Sequence, residues 1–279
     1  MPLSPSLTFL LLLPALALLG LVFLMPLGWF LTASIAELGT VSDILTEAWT
    51  IITSRAMQRS MLVTGEIAGL TTLSCLLLGY PLAYALTRAR GLAFRVIIAS
   101  ILLPYFTSVI VRTYAWMVLL GRNGVANQAL LALHLTETPL QLLYNRGAVI
   151  LGMTYILLPY MVLTLYSAMK AVDPALLRAA AGMGASGPRI FLRVFLPLTL
   201  PGVIAGVLLV FILAIGFFIT PALMGGTGDL MTGILIERQI ELANNWPVAA
   251  VMSVVLLAIT LSIYALYSRV STHPAPLTP

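Results

Sequence analysis

Glu66 and Arg112 are two ionisable residues that lie inside long apolar runs of this sequence. A charged group in a hydrocarbon layer is expensive unless it is paired or faces water, so each is a functional candidate. At about 1.5 Å per residue of helix, they lie about 8 and 12 Å below the outer boundary of their runs. Three interpretations stay open: an ion pair that joins two helices, two groups that line a solute pathway, or one group that lies among lipid headgroups.

Three aromatic residues accompany Arg112, at Tyr105, Tyr114 and Trp116. Tyrosine and tryptophan near the end of a span usually form a belt at the membrane interface, but aromatic faces also bind cations. We therefore treat these three residues, together with Glu66 and Arg112, as candidates for a substrate pathway.

The last predicted external loop carries two further pathway candidates, Asp229 and Glu237. Acidic side chains in this position attract a cationic solute or contact a partner protein, and a plain solvated loop is the simpler alternative. The spacing of these acids does not separate the alternatives.

Several other chemistries are excluded by the residue types that the sequence lacks. Cys75 is the only cysteine, and His134 and His273 are the only histidines, so neither a disulfide framework nor a histidine and cysteine cluster for a metal is present. No GxxxxGKS/T phosphate loop occurs, so the chain does not bind ATP in that way. We expect no catalytic residue, metal or cofactor in this chain.

Composition identifies the elements that must position these residues. Of the 279 residues, 61% are apolar and 8% are charged, whereas a soluble domain is about half apolar and about a quarter charged. About 20 apolar residues cross a bilayer as a helix, so the sequence predicts an all-α membrane protein. Six transmembrane helices are predicted, at about 7–32, 61–86, 96–120, 148–169, 195–224 and 247–267.

The charges between the spans predict the orientation. The loops after the second and fourth spans and the C-terminus hold eight basic residues and one acid, and the other loops hold five basic residues and seven acids. By the positive-inside rule the first set is cytoplasmic, so both termini are expected in the cytoplasm. This topology explains the basic balance and leaves no reason to expect a nucleic-acid partner. No lysine or arginine precedes Arg55, so the first run is expected to be a retained span rather than a signal peptide.

The predicted cytoplasmic segment 170–194 has the pattern of a short helix between two spans. Asp173 followed by Pro174 is a helix start, and Gly184 suits the left-handed turn that closes a helix. The alanines at 179–181 let another surface approach closely, whereas the arginines of the segment also suit a helix that rests on lipid headgroups. From the residues alone, both interpretations stay open.

The same segment resembles the EAA loop of permease subunits of binding-protein-dependent ABC importers. The family pattern is Glu-Ala-Ala, three residues, a glycine, and then a spacer that leads to an apolar residue, any residue and Leu-Pro. Ala179, Ala180, Gly184 and Pro197 match it, and Arg178 stands where the family usually has glutamate. Further stretches resemble the spermidine/putrescine branch, in chain order LGYPLAYALTRARG (78–91), LPYFTSVIVRTYAWMVLLG (103–121), GVANQALLALHL (124–135), YILLPYMVLTLYSAM (155–169) and FFITPALMGG (217–226).

The resemblance implies a type I ABC importer permease fold in a bacterial inner membrane. It implies a first helix and external loop at 1–60, a permease core at 61–269 with the coupling helix between spans 4 and 5, and a cytoplasmic tail at 270–279. The residues implied for ATPase coupling are Arg178, Ala179, Ala180, Gly184 and Pro197. The implied partners are a second homologous permease subunit, an ATPase dimer that binds ATP and magnesium, and a periplasmic binding protein that delivers spermidine or putrescine.

Alternatives to polyamine import remain. The same machinery carries other solutes in related permeases, such as 4-aminobutyrate, opines, iron(III) or thiamine, and pairs either two identical or two different permeases. An ion-coupled secondary transporter is a different class, but such carriers tend to show repeated halves with interrupted helices and intramembrane carboxylates. A structural assembly subunit without transport would not need a kinked bundle lined by polar groups.

Overall fold

The computed structural model describes residues 5–36 and 39–271, and these residues form helices and connecting turns without a strand. The predicted all-α class is therefore confirmed. The predicted tail at 270–279 lies almost wholly outside the described residues. The helices are α1 (Pro5–Leu19), α2 (Met25–Ala36), α3 (Val41–Thr53), α4 (Arg55–Arg88), α5 (Gly91–Leu102), α6 (Val109–Leu120), α7 (Val125–Ala132), α8 (Arg146–Lys170), α9 (Pro174–Gly182), α10 (Gly187–Ile190), α11 (Leu196–Ile215), α12 (Ile219–Met224), α13 (Thr232–Glu241) and α14 (Trp246–Ser271).

Among the described residues, five helical stretches are long and apolar enough to cross a membrane. A sixth span exists if the bent pair Gly91–Phe106 and Val109–Ala132 is counted as one. The five continuous stretches are Leu11–Ala36, Arg55–Arg88, Arg146–Lys170, Gly187–Ile215 and Trp246–Ser268. π-helical turns at Gly20–Leu24 and Phe191–Phe195 join α1 to α2 and α10 to α11.

The third predicted span is not one continuous helix. A 3₁₀ turn at Leu103–Phe106 follows α5, and the chain then bends by 104° before α6. Pro104 has no N–H for the helical ladder, and the extended conformations of Thr107 and Ser108 complete the break. Thr107 stabilises the corner by donating its N–H and its hydroxyl to the Pro104 carbonyl, at 3.2 and 2.7 Å.

The fifth predicted span, 195–224, also differs from the structure. Its helix already begins at Gly187 and ends at Ile215, and α12 follows as a separate helix. Pro221 explains the break, because a continuous helix would bring its ring against the carbonyl of Phe217 and leave that carbonyl without a donor.

Two compact units are distinguished by their internal contacts. One comprises the described residues up to 58 and residues 236–259, and in it Phe30 and Trp246 meet edge to face with ring centroids 5.8 Å apart. This unit contains α3, within the predicted external loop, and α3 begins with a capping box of Thr40 and Asp43. The hydroxyl and N–H of Thr40 hold the pKa of Asp43 below its usual value.

The other unit comprises the described residues 59–235 and 260–271 and is organised around α8. Of the five continuous stretches, α8 is the most buried, and it packs along α11. Glycine permits this close packing, because a Cβ on Gly202 would lie 2.0 Å from the Cβ of Ala168, and one on Gly206 would lie 3.0 Å from the sulfur of Met161.

Candidate functional site

The helix α9 forms where the local sequence predicts it. The Asp173 carboxylate accepts the N–H of Ala175 at 2.8 Å, and Pro174 occupies the first helical position. Gly184 closes the helix with φ of +83°. Its N–H donates to Ala181 at 2.9 Å, and the N–H of Ala185 reaches back to Ala180 at 3.1 Å.

One face of α9 is an exposed apolar strip, formed by Leu176, Ala179 and Met183. Leu176 is 49% exposed and Met183 is 82% exposed, and the spacing of three and seven residues puts all three on one side of the helix. Of the residues implied for ATPase coupling, Arg178, Ala179, Gly184 and Pro197 are exposed, whereas Ala180 is buried against the rest of the chain.

An aromatic cluster connects the segment after α9 to the far end of α4. Phe191 and Phe195 stack at 5.8 Å, and the ring of Tyr84 on α4 meets both edge to face, at 5.5 and 5.4 Å. The guanidinium of Arg88 lies 4.7 Å above the Tyr84 ring. Because helical structure continues from Gly187 to Ile215, this cluster joins α4 to the helix that includes α11.

The glycines at 182, 184 and 187 also have the GxGxxG spacing of a dinucleotide-binding loop. That fingerprint requires a preceding strand, and here a helix precedes the first glycine. The glycines therefore form the turn between α9 and α10 and give no indication of a nucleotide site.

A three-residue charge cluster, formed by Glu66, Arg146 and Asp229, lies in the larger unit. Arg146 Nη1 lies 2.6 Å from Glu66 Oε1, and Arg146 Nε donates to Asp229 Oδ1 at 3.0 Å. The second oxygen of Asp229 accepts the N–H of Gly226 at 3.1 Å. These contacts join α4, the first turn of α8 and the turn before α13.

Of the three interpretations of Glu66 and Arg112, the ion pair between them is wrong. Glu66 pairs with Arg146, a residue that sequence analysis assigned to an external loop. The predicted depth of Arg112 requires a continuous helix, but Arg112 lies on α6, beyond the 104° bend. One signal for the missed residue is that Arg146 occupies the first turn of α8, where the helix dipole disfavours a cation unless acids are close.

Asp229 and Glu237 occupy different surroundings. Asp229 is only 7% exposed and is hydrogen-bonded twice, so the solvated-loop interpretation is wrong for this residue. Glu237 lies half-buried on α13. Close by in sequence, the N–H of Thr232 donates to the hydroxyl of Thr64 at 2.8 Å, which fastens the start of α13 to α4 beside Glu66.

Arg112 is buried, with 8% of its surface exposed, and its Nε and Nη1 atoms have no hydrogen-bond partner in the described part of the chain. The neighbouring Thr113 fixes α6 to α12 through a hydroxyl contact with Thr220 at 3.0 Å. An Arg side chain with two unsatisfied buried donors has the capacity to bind an anionic or carbonyl oxygen that this chain does not supply.

Two of the three aromatic candidates contact α8. The ring centroid of Tyr105 is 5.7 Å from that of Tyr160, and that of Trp116 is 5.6 Å from that of Tyr155. Tyr114 is 53% exposed and has no ring contact among the described residues. No sequence pattern indicates the two α8 tyrosines, because only tertiary packing brings them to this face.

Comparison with known proteins places the chain among transport proteins. Residues 75–273 match the family described as binding-protein-dependent transport system inner membrane component. The chain is 34% identical to the spermidine/putrescine transport system permease protein PotB of Escherichia coli (strain K12) over 206 residues, which cover 74% of this chain and 75% of that protein. It is 31% identical to the molybdenum transport system permease protein ModB of Mycobacterium bovis over 212 residues, or 76% of this chain and 78% of that protein.

Solved structures share the fold at lower sequence identity. A bacterial ABC transporter involved in the import of the acidic polysaccharide alginate matches with a TM-score of 0.71 and 17% identity, covering 95% of both chains. The MetNI methionine ABC transporter in an inward-facing conformation matches with a TM-score of 0.60 and 19% identity, covering 78% of this chain and 98% of that one.

Proposed function

This chain belongs to the family of inner membrane components of binding-protein-dependent transport systems, and we propose that it is the permease subunit that carries spermidine or putrescine in an ATP-driven importer. The observation that supports the solute is the similarity to PotB over three quarters of both chains. The chain is a transporter subunit rather than an enzyme. ATP hydrolysis belongs to separate ATPase subunits, which bind ATP and magnesium.

The partners in this proposal are an ATPase dimer, a periplasmic binding protein and a second permease subunit. The exposed strip of Leu176, Ala179 and Met183 on α9 is the surface on which an ATPase subunit docks. The distribution of basic residues supports an orientation with both termini and α9 in the cytoplasm. Arg178, exposed beside the strip, occupies the place of the usual glutamate and offers a cation to an acidic group of the ATPase.

In this proposal, closure of the ATPase dimer moves α9, and contacts of the segment after α9 transmit that motion to the spans. The turn at Gly184 joins α9 to helical structure that continues to Ile215, and the rings of Phe191 and Phe195 pack on Tyr84 of α4. Displacement of α9 therefore acts on two spans at once, and alternating access results from their reorientation.

The test of this proposal is reconstitution of the complex in proteoliposomes. We expect uptake of labelled putrescine only when the ATPase subunits, the binding protein and ATP are all present. We expect this chain alone to show neither ATP hydrolysis nor uptake. Uptake by the purified chain with only a proton or sodium gradient would contradict the proposal and indicate a secondary carrier.

A second candidate function is import of a solute that also carries an anionic group, such as 4-aminobutyrate. The unpartnered, buried guanidinium of Arg112 favours it, because a solute carboxylate would satisfy the free donors. Direct uptake distinguishes the two: labelled 4-aminobutyrate should enter the proteoliposomes only if the second candidate is right. In that case Arg112→Gln should lower 4-aminobutyrate uptake, because the solute carboxylate loses its guanidinium partner.

A further inference from the structure

The charge cluster of Glu66, Arg146 and Asp229 contains two acids and one base, and thus one negative charge in excess. It includes a residue of the membrane span Arg55–Arg88. A net charge at such a position calls for a compensating cation or for water. The inference drawn from this cluster rests on the proposed function, since the solute it concerns is an organic cation.

The two acids hold Arg146 in different ways. Asp229 is almost fully buried, and it is fixed by the Arg146 Nε contact and the N–H of Gly226. The turn that carries it has little room to move, because a Cβ on Gly226 would lie 2.7 Å from the carbonyl of Tyr144. Asp229 is therefore the permanent partner of Arg146.

Glu66 is the accessible partner. Its side chain is 52% exposed, and among the described residues its polar contact is the ion pair with Arg146 Nη1. A paired Asp229 and Arg146 are already neutral together, so Glu66 supplies the excess charge. The dipole of α8 favours the two carboxylates at its start and disfavours a cation there, so the dipole does not account for the presence of Arg146.

We propose that Glu66 is a cation-exchange site for an ammonium group of the transported solute. The ammonium takes the place of Arg146 Nη1 at Glu66 Oε1 and donates to the carboxylate, while Arg146 stays on Asp229 through Nε. When the solute leaves, Nη1 returns to Glu66. Arg146 is thus a tethered competitor that keeps the site from retaining a polyamine too tightly.

Two variants of the intact, reconstituted complex separate the roles of the cluster. Glu66→Gln removes the exchanging carboxylate and leaves the Arg146 and Asp229 pair intact. The double variant Arg146→Gln with Asp229→Asn removes the competitor and its anchor together. Glu66 then keeps its charge, and no charged Asp229 is left buried without a partner. Glu137→Gln, at an exposed residue of the turn after α7, makes the same change of charge away from the cluster.

Thermal stabilisation of the complex by putrescine, without binding protein, reports occupancy of the site directly. A partly exposed ion pair contributes up to about 1 kcal/mol, so we expect Glu66→Gln to raise the half-maximal putrescine concentration about fivefold. The double variant should lower that concentration by a similar factor, and uptake should become slower because release is slower. Glu137→Gln should match the wild type.

Each outcome of this experiment bears on the proposal. If both cluster variants match Glu137→Gln while the wild type transports putrescine, the exchange role is wrong and the proposed function stands. If Glu66→Gln fails to assemble and the double variant binds putrescine as the wild type does, the cluster is structural and the exchange role is again wrong. A wild-type complex that takes up no polyamine contradicts the proposed function itself.

Discussion

Replacement of Gly184 by valine should uncouple ATP hydrolysis from solute delivery. Gly184 has φ of +83°, and a Cβ built there would meet no heavy atom within 4 Å, so the cost of valine is backbone strain alone. That strain amounts to about 1 to 2 kcal/mol, and more for a β-branched residue. A strain energy of this size lowers the ratio of the hydrogen-bonded turn to the open turn about 5- to 30-fold.

The assay is solute-stimulated ATPase activity of the reconstituted complex, with the amount of inserted permease and bound binding protein measured in parallel. Gly182→Val is the matched control: Gly182 ends α9 with helical dihedral angles and equally open surroundings, and valine is the better helix former there. We expect Gly184→Val to lose solute-stimulated ATPase activity while the amounts of inserted permease and bound binding protein stay normal. We expect Gly182→Val to keep the stimulated activity. Equal stimulation in the two variants would refute the argument that the closed turn transmits motion.

Two further variants test the packing and the docking surface. Gly202→Val places side-chain atoms on the Cβ of Ala168, so the free energy of unfolding should fall by about 1 to 3 kcal/mol. The second change Ala168→Gly should restore part of that loss. The control Gly28→Val, at a glycine with open surroundings, should leave the free energy of unfolding unchanged. Met183→Asp puts a charge on the exposed strip of α9 and should reduce ATPase subunits that copurify with the permease, whereas Leu135→Asp, 67% exposed after α7, should not. Unchanged copurification with Met183→Asp would show that the ATPase docks elsewhere.

Features that depend on neighbouring residues could be predicted from the sequence. Asp173 and Gly184 each determine one end of α9 through their own backbone and side-chain preferences, and the structure confirms both. The all-helical class followed from composition in the same way. The breaks at Thr107 and at Gly216 were not predicted, because a proline in an apolar run is compatible with a kinked span as well as with an interrupted one.

Pairing of side chains between spans could not be predicted. The partner of Glu66 depends on where α4 begins, on how far each helix is rotated and on which neighbours it packs against. The position of Arg146 just before an apolar run predicts a loop charge, yet α8 begins with this residue. Arg112 is a candidate because a cation inside a membrane span is costly. In the structure this residue is buried, and two of its nitrogen donors have no hydrogen-bond partner among the described residues.

The helix α4 carries residues of both candidate regions. Glu66 belongs to the charge cluster and Tyr84 to the aromatic cluster, and at about 1.5 Å per residue the two lie about 27 Å apart along the helix. Asp229 and Arg146 lie outside α4, so rotation of this helix separates Glu66 from Arg146 and leaves their own pair intact. In the proposed exchange, such a rotation also strains the hydrogen bond between Thr64 and Thr232. We therefore expect this bond to hold Glu66 beside Arg146 until α9 moves.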